Sequence, residues 1–107
     1  MKWCQVKIMS KPWRCYLMTE EKFNKKHPDK IGSSALCISS KKQIHFTKEN
    51  FDLGCARHEI RHAFISALCL SSSDLTLDQF EEIICELDCE YWDEMDKASR
   101  YIEMSFL

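Results

Sequence analysis

The chain has 107 residues, 45% of them hydrophobic and 30% charged, with a formal net charge of -2. That length suits one compact domain with a modest core, and that mixture argues against disorder. There is no basic excess to hold nucleic acid, no apolar run near the roughly 20 residues that cross a bilayer, and no uninterrupted apolar stretch in "MKWCQVKIMSKPW" to make a signal peptide.

Residues 3 to 9, "WCQVKIM", alternate around Cys4, Val6 and Ile8 and read as a strand. Lys11 and Pro12 break it, and "WRCYL" (13 to 17) alternates again through Trp13, Cys15 and Leu17, so the two form a hairpin. In "TEEKFNKKHPDKIG", Thr19 with Glu20 and Glu21 starts a helix that Pro28 and Gly32 end. "ALCIS" (35 to 39) and "QIHFT" (43 to 47) flank a polar turn at Ser40, Lys41 and Lys42. They make a second hairpin, with Ile44 and Phe46 pointing one way and His45 the other.

From Asn50 to about Leu70 the period becomes helical, through Ile60, Phe64 and Ala67 with Ala56 and Ala63 alongside. Gly54 weakens the first turn and leaves the helix start open. "SSSD" (71 to 74) reads as a loop. Thr76 and Gln79 then fit a capping box, and Leu75 and Phe80 a hydrophobic staple. An apolar stripe follows through Leu77, Phe80, Ile84, Leu87 and Tyr91, with no proline or glycine to stop the helix before the C-terminus. The order β-β-α-β-β-α-α predicts a single α+β domain over 1–107, a small antiparallel sheet packed against these helices. The apolar tail "SRYIEMSFL" docks on the core, covers a cleft or self-associates; the sequence leaves all three open.

Seven cysteines, an odd number without an export signal, point to free and mostly buried thiols in a reducing, cytoplasmic setting. No CxxC pair exists, so spacing excludes a four-cysteine zinc knuckle. Cys85 and Cys89 stand one helical turn apart, but two thiols without further ligands rarely suffice for a metal. Cys55 shares a face with His58 and reads as a small buried thiol.

The chemistry concentrates in "CARHEIRHAFISAL", residues 55 to 68. His58 and His62 lie one turn apart on one helix face, so both imidazoles can reach one zinc ion at about 2.0–2.1 Å. Glu59 sits about 100° further round, where it can touch a metal-bound water. That is the division of labour HExxH requires, two ligands and one general base. A third ligand is needed, and no histidine follows His62, because the other two are His27 and His45. The metzincin pattern is therefore absent. Candidates are Glu81, Glu82 and Glu86 on the next helix. Helical phase favours Glu82, which shares a face with Cys85, Cys89 and Trp92. Glu86, one turn on, could orient a ligating histidine or be a plain surface acid.

His58-Glu59-x-x-His62, nineteen residues, then Glu82-x-x-Cys85-Glu86 resembles the gluzincin arrangement. The short chain and the "QIHFT" strand just before the helix are most similar to minigluzincins and to small phage or mobile-element metallopeptidases of the ImmA/IrrE type, over roughly residues 35 to 95. The resemblance implies a zinc ion held by His58, His62, Glu82 and water, with Glu59 as general base. An oxyanion donor would come from Tyr91, Tyr101 or His45. It implies that the His45 strand borders the cleft, and that the substrate is a peptide or protein, by analogy a flexible segment of a regulatory protein, in a bacterial or phage-infected cytosol. Arg61 departs from the uncharged residues that the broader pattern prefers inside HExxH. That departure raises a second expectation, a non-catalytic protein that keeps the scaffold and binds or inhibits a protein partner.

Overall fold

Strands β1 (Lys2–Ile8) and β2 (Lys11–Met18) pair antiparallel from Lys2↔Leu17 to Ile8↔Lys11. Their alternation is the expected one: Cys4, Val6, Ile8, Trp13, Cys15 and Leu17 are all buried. The turn, however, is Met9–Ser10, both with positive φ (52° and 69°), the backbone that a two-residue hairpin needs to match strand twist. Pro12, expected to break the strand, lies inside β2. It is tolerated because pairing with the next strand begins only at Arg14, so no ladder bond is lost there. The computed structural model describes residues 1–68 and 75–107. The loop expected at 71 to 74, the helix end expected near Leu70, and Cys69 lie outside these residues.

Helix α1 (Glu20–Lys26) is capped by the Thr19 hydroxyl, which accepts the Lys22 N–H at 3.3 Å. It carries Glu20 and Glu21 in its first turn and Lys25 and Lys26 in its last, as the helix dipole favours. Strands β3 (Ala35–Ile38) and β4 (Gln43–Thr47) form the second, antiparallel hairpin, closed by a 3-10 turn and a left-handed Lys42 with φ 52°. The sheet order is β1-β2-β4-β3, and β2 runs parallel to β4. The sheet is therefore mixed, not antiparallel as expected. Each hairpin is legible locally, but α1 carries the chain over the sheet before the second hairpin, and that return sets β4 beside β2 in the same direction.

Helix α2 (Leu53–Leu68) begins at Asp52, whose carboxylate accepts the Cys55 N–H at 2.8 Å. This settles the start that Gly54 left open. A Cβ on Gly54 would lie 3.2 Å from the Asp52 carboxylate oxygen, so the glycine gives the capping side chain room. Ala56, Ile60, Ala63 and Phe64 of α2 pack on Cys15, Ile44 and Phe46 of the sheet. The opposite face, where His45 and Thr47 point, is covered by α1.

The single C-terminal helix expected after Thr76 is two: α3 (Leu77–Glu90) and α4 (Trp92–Ser105). The capping box at Thr76 and Gln79 is present as read. The break falls at Tyr91 (φ -120°, ψ 7°), without proline or glycine. The two helices bury different things: α3 buries Leu87 and leaves Leu77 73% exposed, while α4 buries Met95, Ser99 and Ile102. It is α4, with Phe106 beyond it, that joins α2 over the sheet. The glutamate-bearing α3 was expected in that place and lies to the side. The tail docks on the core, with the Phe106 ring 5.3 Å from Phe51 and 6.2 Å from Phe46. Among the described residues the fold is α+β with four strands and four helices, and no helix is long and apolar enough to cross a membrane.

The described cysteines are all free. Cys4 and Cys15 are buried, Cys37 and Cys55 partly so, but Cys85 and Cys89 are exposed, which corrects the expectation that they share a buried face with Glu82.

Candidate metal centre

Helix α2 presents His58 and His62 outward and Glu59 inward. The two Nε2 atoms are 3.1 Å apart and the rings nearly perpendicular, at 75°. Two nitrogens bound tetrahedrally to one ion at about 2.0–2.1 Å would be about 3.3 Å apart, so the imidazoles are nearly placed for a shared ion. Without one, either Nε2 can donate its proton to the other. One ligand atom from each of His58, Glu59 and His62 lies within 4.8 Å of the others, and no other such group occurs among the described residues.

Glu59 is only 7% exposed, while both histidines are exposed. Its Oε2 has no hydrogen-bond partner among the described residues. Burial pushes its carboxyl above the usual carboxylate range, against the pull of His62 and His58. A lone carboxylate oxygen out of water is costly unless a cation or a proton donor meets it. The donor set, two imidazoles and one orphaned carboxylate, therefore fits a metal ion. Beside it opens a cleft of about 500 Å³, floored by His58, Glu59, Cys55 and Asp52 of the α2 start and walled by Ser33, Ser34 and Ala35 at the start of β3. Asp52 is held below the usual carboxylate range by the Cys55 N–H. The Cys55 thiol donates to the Asn50 carbonyl at 3.3 Å and is pushed up, chiefly by burial.

Arg61, the charge inside the motif, forms an ion pair with Asp88 of α3. One turn earlier Arg57 pairs with Asp96 of α4 at 2.8 Å, and Asp96 also accepts from Arg100 at 3.0 Å. The two arginines make a stripe beside the histidine stripe that ties α2 to the last two helices. The Arg61–Asp88 side chains are 40% and 45% exposed, so solvent screens them. A double-mutant cycle of Arg61→Ala and Asp88→Ala, read by urea unfolding, is expected to give a coupling of about 0.2–1 kcal/mol.

Glu82 and Glu86 stand exposed on α3. With Asp78, Glu81 and Cys85 they line an open depression made by α3 alone. Neither belongs to the histidine group. With Asp88 held by Arg61, Glu82 lies six residues earlier, about 9 Å along the axis and about 240° behind it in phase. Glu86 lies two residues before Asp88, about 200° away on the far side of the helix.

The three expected oxyanion donors also separate. Tyr91 forms the α3–α4 joint, half-buried with its ring 6.0 Å from Phe64 of α2. Tyr101 is 54% exposed and stands beside Gln5 and Lys7 of β1, at the other edge of the sheet from β3. His45 lies on the sheet face away from α2. Its Nδ1 is 2.9 Å from His27 Nε2, its Nε2 is 3.1 Å from the Gln43 side-chain oxygen, and the Tyr16 ring packs edge-on. That removes His45 from the histidine site. Its strand is interior, and β3, not β4, borders the cleft. Sequence reading missed Asp52 and the Ser33–Ser34 wall. An aspartate directly before the first apolar helix residue was the available signal for the first. The serines carried none.

Burial first, then His27, Lys26 and Lys41, push His45 down to about 4. The folded state therefore favours neutral His45, while the unfolded chain takes a proton near 6.5. Stability from this group is complete above about pH 6.5 and is lost as pH falls toward 4, by up to about 1.4 kcal/mol per pH unit. Urea unfolding of wild type and His45→Gln at pH 7.5 and 5 should show the wild type losing more. Equal losses would contradict it.

No protein-family model, curated protein or solved structure matches this chain.

Proposed function

We propose that the chain is a small zinc-dependent metallopeptidase, with His58 and His62 as ligands and Glu59 as general base. One observation carries this reading: a buried Glu59 oxygen, without a partner among the described residues, beside two Nε2 atoms 3.1 Å apart. Two imidazoles with a carboxylate oxygen from Glu82 would suit zinc, which leaves Glu59 free to act as the base. A bound ion would supply a water acidified toward neutrality and a Lewis acid for a carbonyl. Glu59 would act there as the proton acceptor, and burial, which raises its basicity, suits it to the task. The exposed edge of β3 can add an extended segment of a protein substrate as a further strand, across the cleft from Glu59. Free thiols fit a reducing cytoplasm.

Glu82 is the third ligand in this proposal. Reaching the histidines requires α3 to turn about its axis and slide, which breaks the Arg61–Asp88 pair and repacks the buried Leu87. Glu59→Gln is expected to keep zinc and fold but to abolish cleavage of unstructured peptide, measured by mass spectrometry. Undiminished cleavage by that variant would sink the enzyme reading.

A second reading is favoured by the Arg61–Asp88 tie and the exposed position of Glu82. Here the chain is a metal-binding scaffold without catalysis that acts by contact with a protein partner. It expects Glu59→Gln to keep full biological activity, where the enzyme reading expects none.

A further inference from the structure

At the opposite end of α4 from its Tyr91 joint is a cavity of about 530 Å³ to which neither histidine contributes. Its floor is apolar: Leu17 and Met18 at the end of β2, Phe51 ahead of α2, and Phe106 after α4. Three of these are buried, at 7%, 3% and 7% exposure for Leu17, Met18 and Phe106. Its rim carries Lys2, Lys22 and Lys48, from three separate parts of the chain. None of the three is in an ion pair with a carboxylate among the described residues. Lys2 donates to the Leu107 main-chain oxygen at 3.0 Å, and among the described residues the Lys22 ammonium has only the Met1 sulfur at 3.8 Å and Lys48 has no partner. Glu103 is the one acidic side chain on the rim. The balance around the mouth is therefore positive.

The volume lies in the range of about 300–1,000 Å³ usual for small-molecule sites, where an apolar lining with a few placed polar groups sets orientation. Neutral lipids would leave the ammoniums unanswered, and small inorganic anions would leave the aromatic floor wet. We propose that this cavity binds an amphipathic monoanion of the medium-chain fatty carboxylate class. The chain lies on Phe51, Phe106 and Leu17, and the carboxylate lies among the ammoniums of Lys22 and Lys48. This site is independent of the metal reading, since no residue of the histidine group takes part.

The test is titration of the whole chain with octanoate and decanoate below their micelle thresholds, followed by calorimetry. Each added methylene should tighten binding about fourfold, so decanoate should bind about fifteenfold better than octanoate. Lys22→Glu/Lys48→Glu, at exposed positions, should weaken decanoate about tenfold or more, the loss of at least one charge-assisted contact. Its thermal unfolding and metal content should match wild type. Lys48→Arg should retain binding. The proposal is overturned if decanoate does not bind. It is equally overturned if decyltrimethylammonium or decanol binds as well, or if the double charge reversal leaves affinity unchanged, since either shows an apolar crevice without anion selectivity.

Discussion

Replacing His58 or His62 with alanine is expected to abolish stoichiometric zinc binding while leaving the metal-free fold intact. Both imidazoles are exposed, so neither substitution opens a cavity, and surface changes of that kind usually shift stability by less than about 0.5 kcal/mol. The effect appears only with metal. At a free zinc concentration about 100-fold above the dissociation constant, binding stabilises the wild type by about 2.7 kcal/mol. For a domain of this size that raises Tm on the order of 10 °C. The alanine variants should show no rise at the same zinc concentration. Glu82→Ala, measured beside them, tests the ligand set: a fall in affinity supports the proposal that α3 closes on the histidines, and an unchanged affinity assigns the ion to α2 alone. Elemental analysis showing no zinc in wild type, or equal zinc in His58→Ala, would remove the metal centre altogether.

The histidine pair was readable because its geometry is local: four residues along a helix place two side chains on one face whatever the rest of the chain does. The same holds for the strand alternation of β1, β2 and β4, and for the Thr76 capping box. What the sequence hid is non-local. Nothing in either hairpin states that β2 meets β4 in parallel. Nothing at Tyr91 announces a break, because the cause is the sheet below, which α4 covers with Met95 and Ile102 while α3 stays aside with Leu87. Glu82 shows the same limit in the site. Its spacing from His62 was legible, but whether it meets the ion depends on the rotation and height of α3. Here buried Leu87 fixes which face of α3 points inward, and Arg61–Asp88 adds a tie through the residue that looked like a flaw in the motif. His45 was placed at the cleft because its strand precedes α2 in sequence, yet alternation had already put it opposite Ile44 and Phe46, on the α1 side.

Phe106→Ala is expected to be strongly destabilising, at about 3–5 kcal/mol of unfolding free energy. Phe106 is 7% exposed and meets Phe51 and Phe46 edge-on, and those two rings meet each other at 5.1 Å. Deleting the ring removes its burial and its two aromatic contacts, the latter about 0.5–1.5 kcal/mol each. It also removes the clasp that holds α4 against the strand β4 and the segment leading into α2. Set against a typical total of about 5–15 kcal/mol, that brings the folded state close to its limit. Met104, two residues earlier and 72% exposed, supplies the contrast: Met104→Ala should change stability by less than about 0.5 kcal/mol. Urea unfolding of the two variants separates a docked tail from a loose one, since a loose tail would give two equally small effects. Because Phe51 directly precedes the Asp52 cap of α2, undocking Phe106 should also loosen the first turn of that helix. Phe106→Ala is therefore expected to weaken zinc binding a few-fold at temperatures where the chain is still folded, an effect that Met104→Ala should lack.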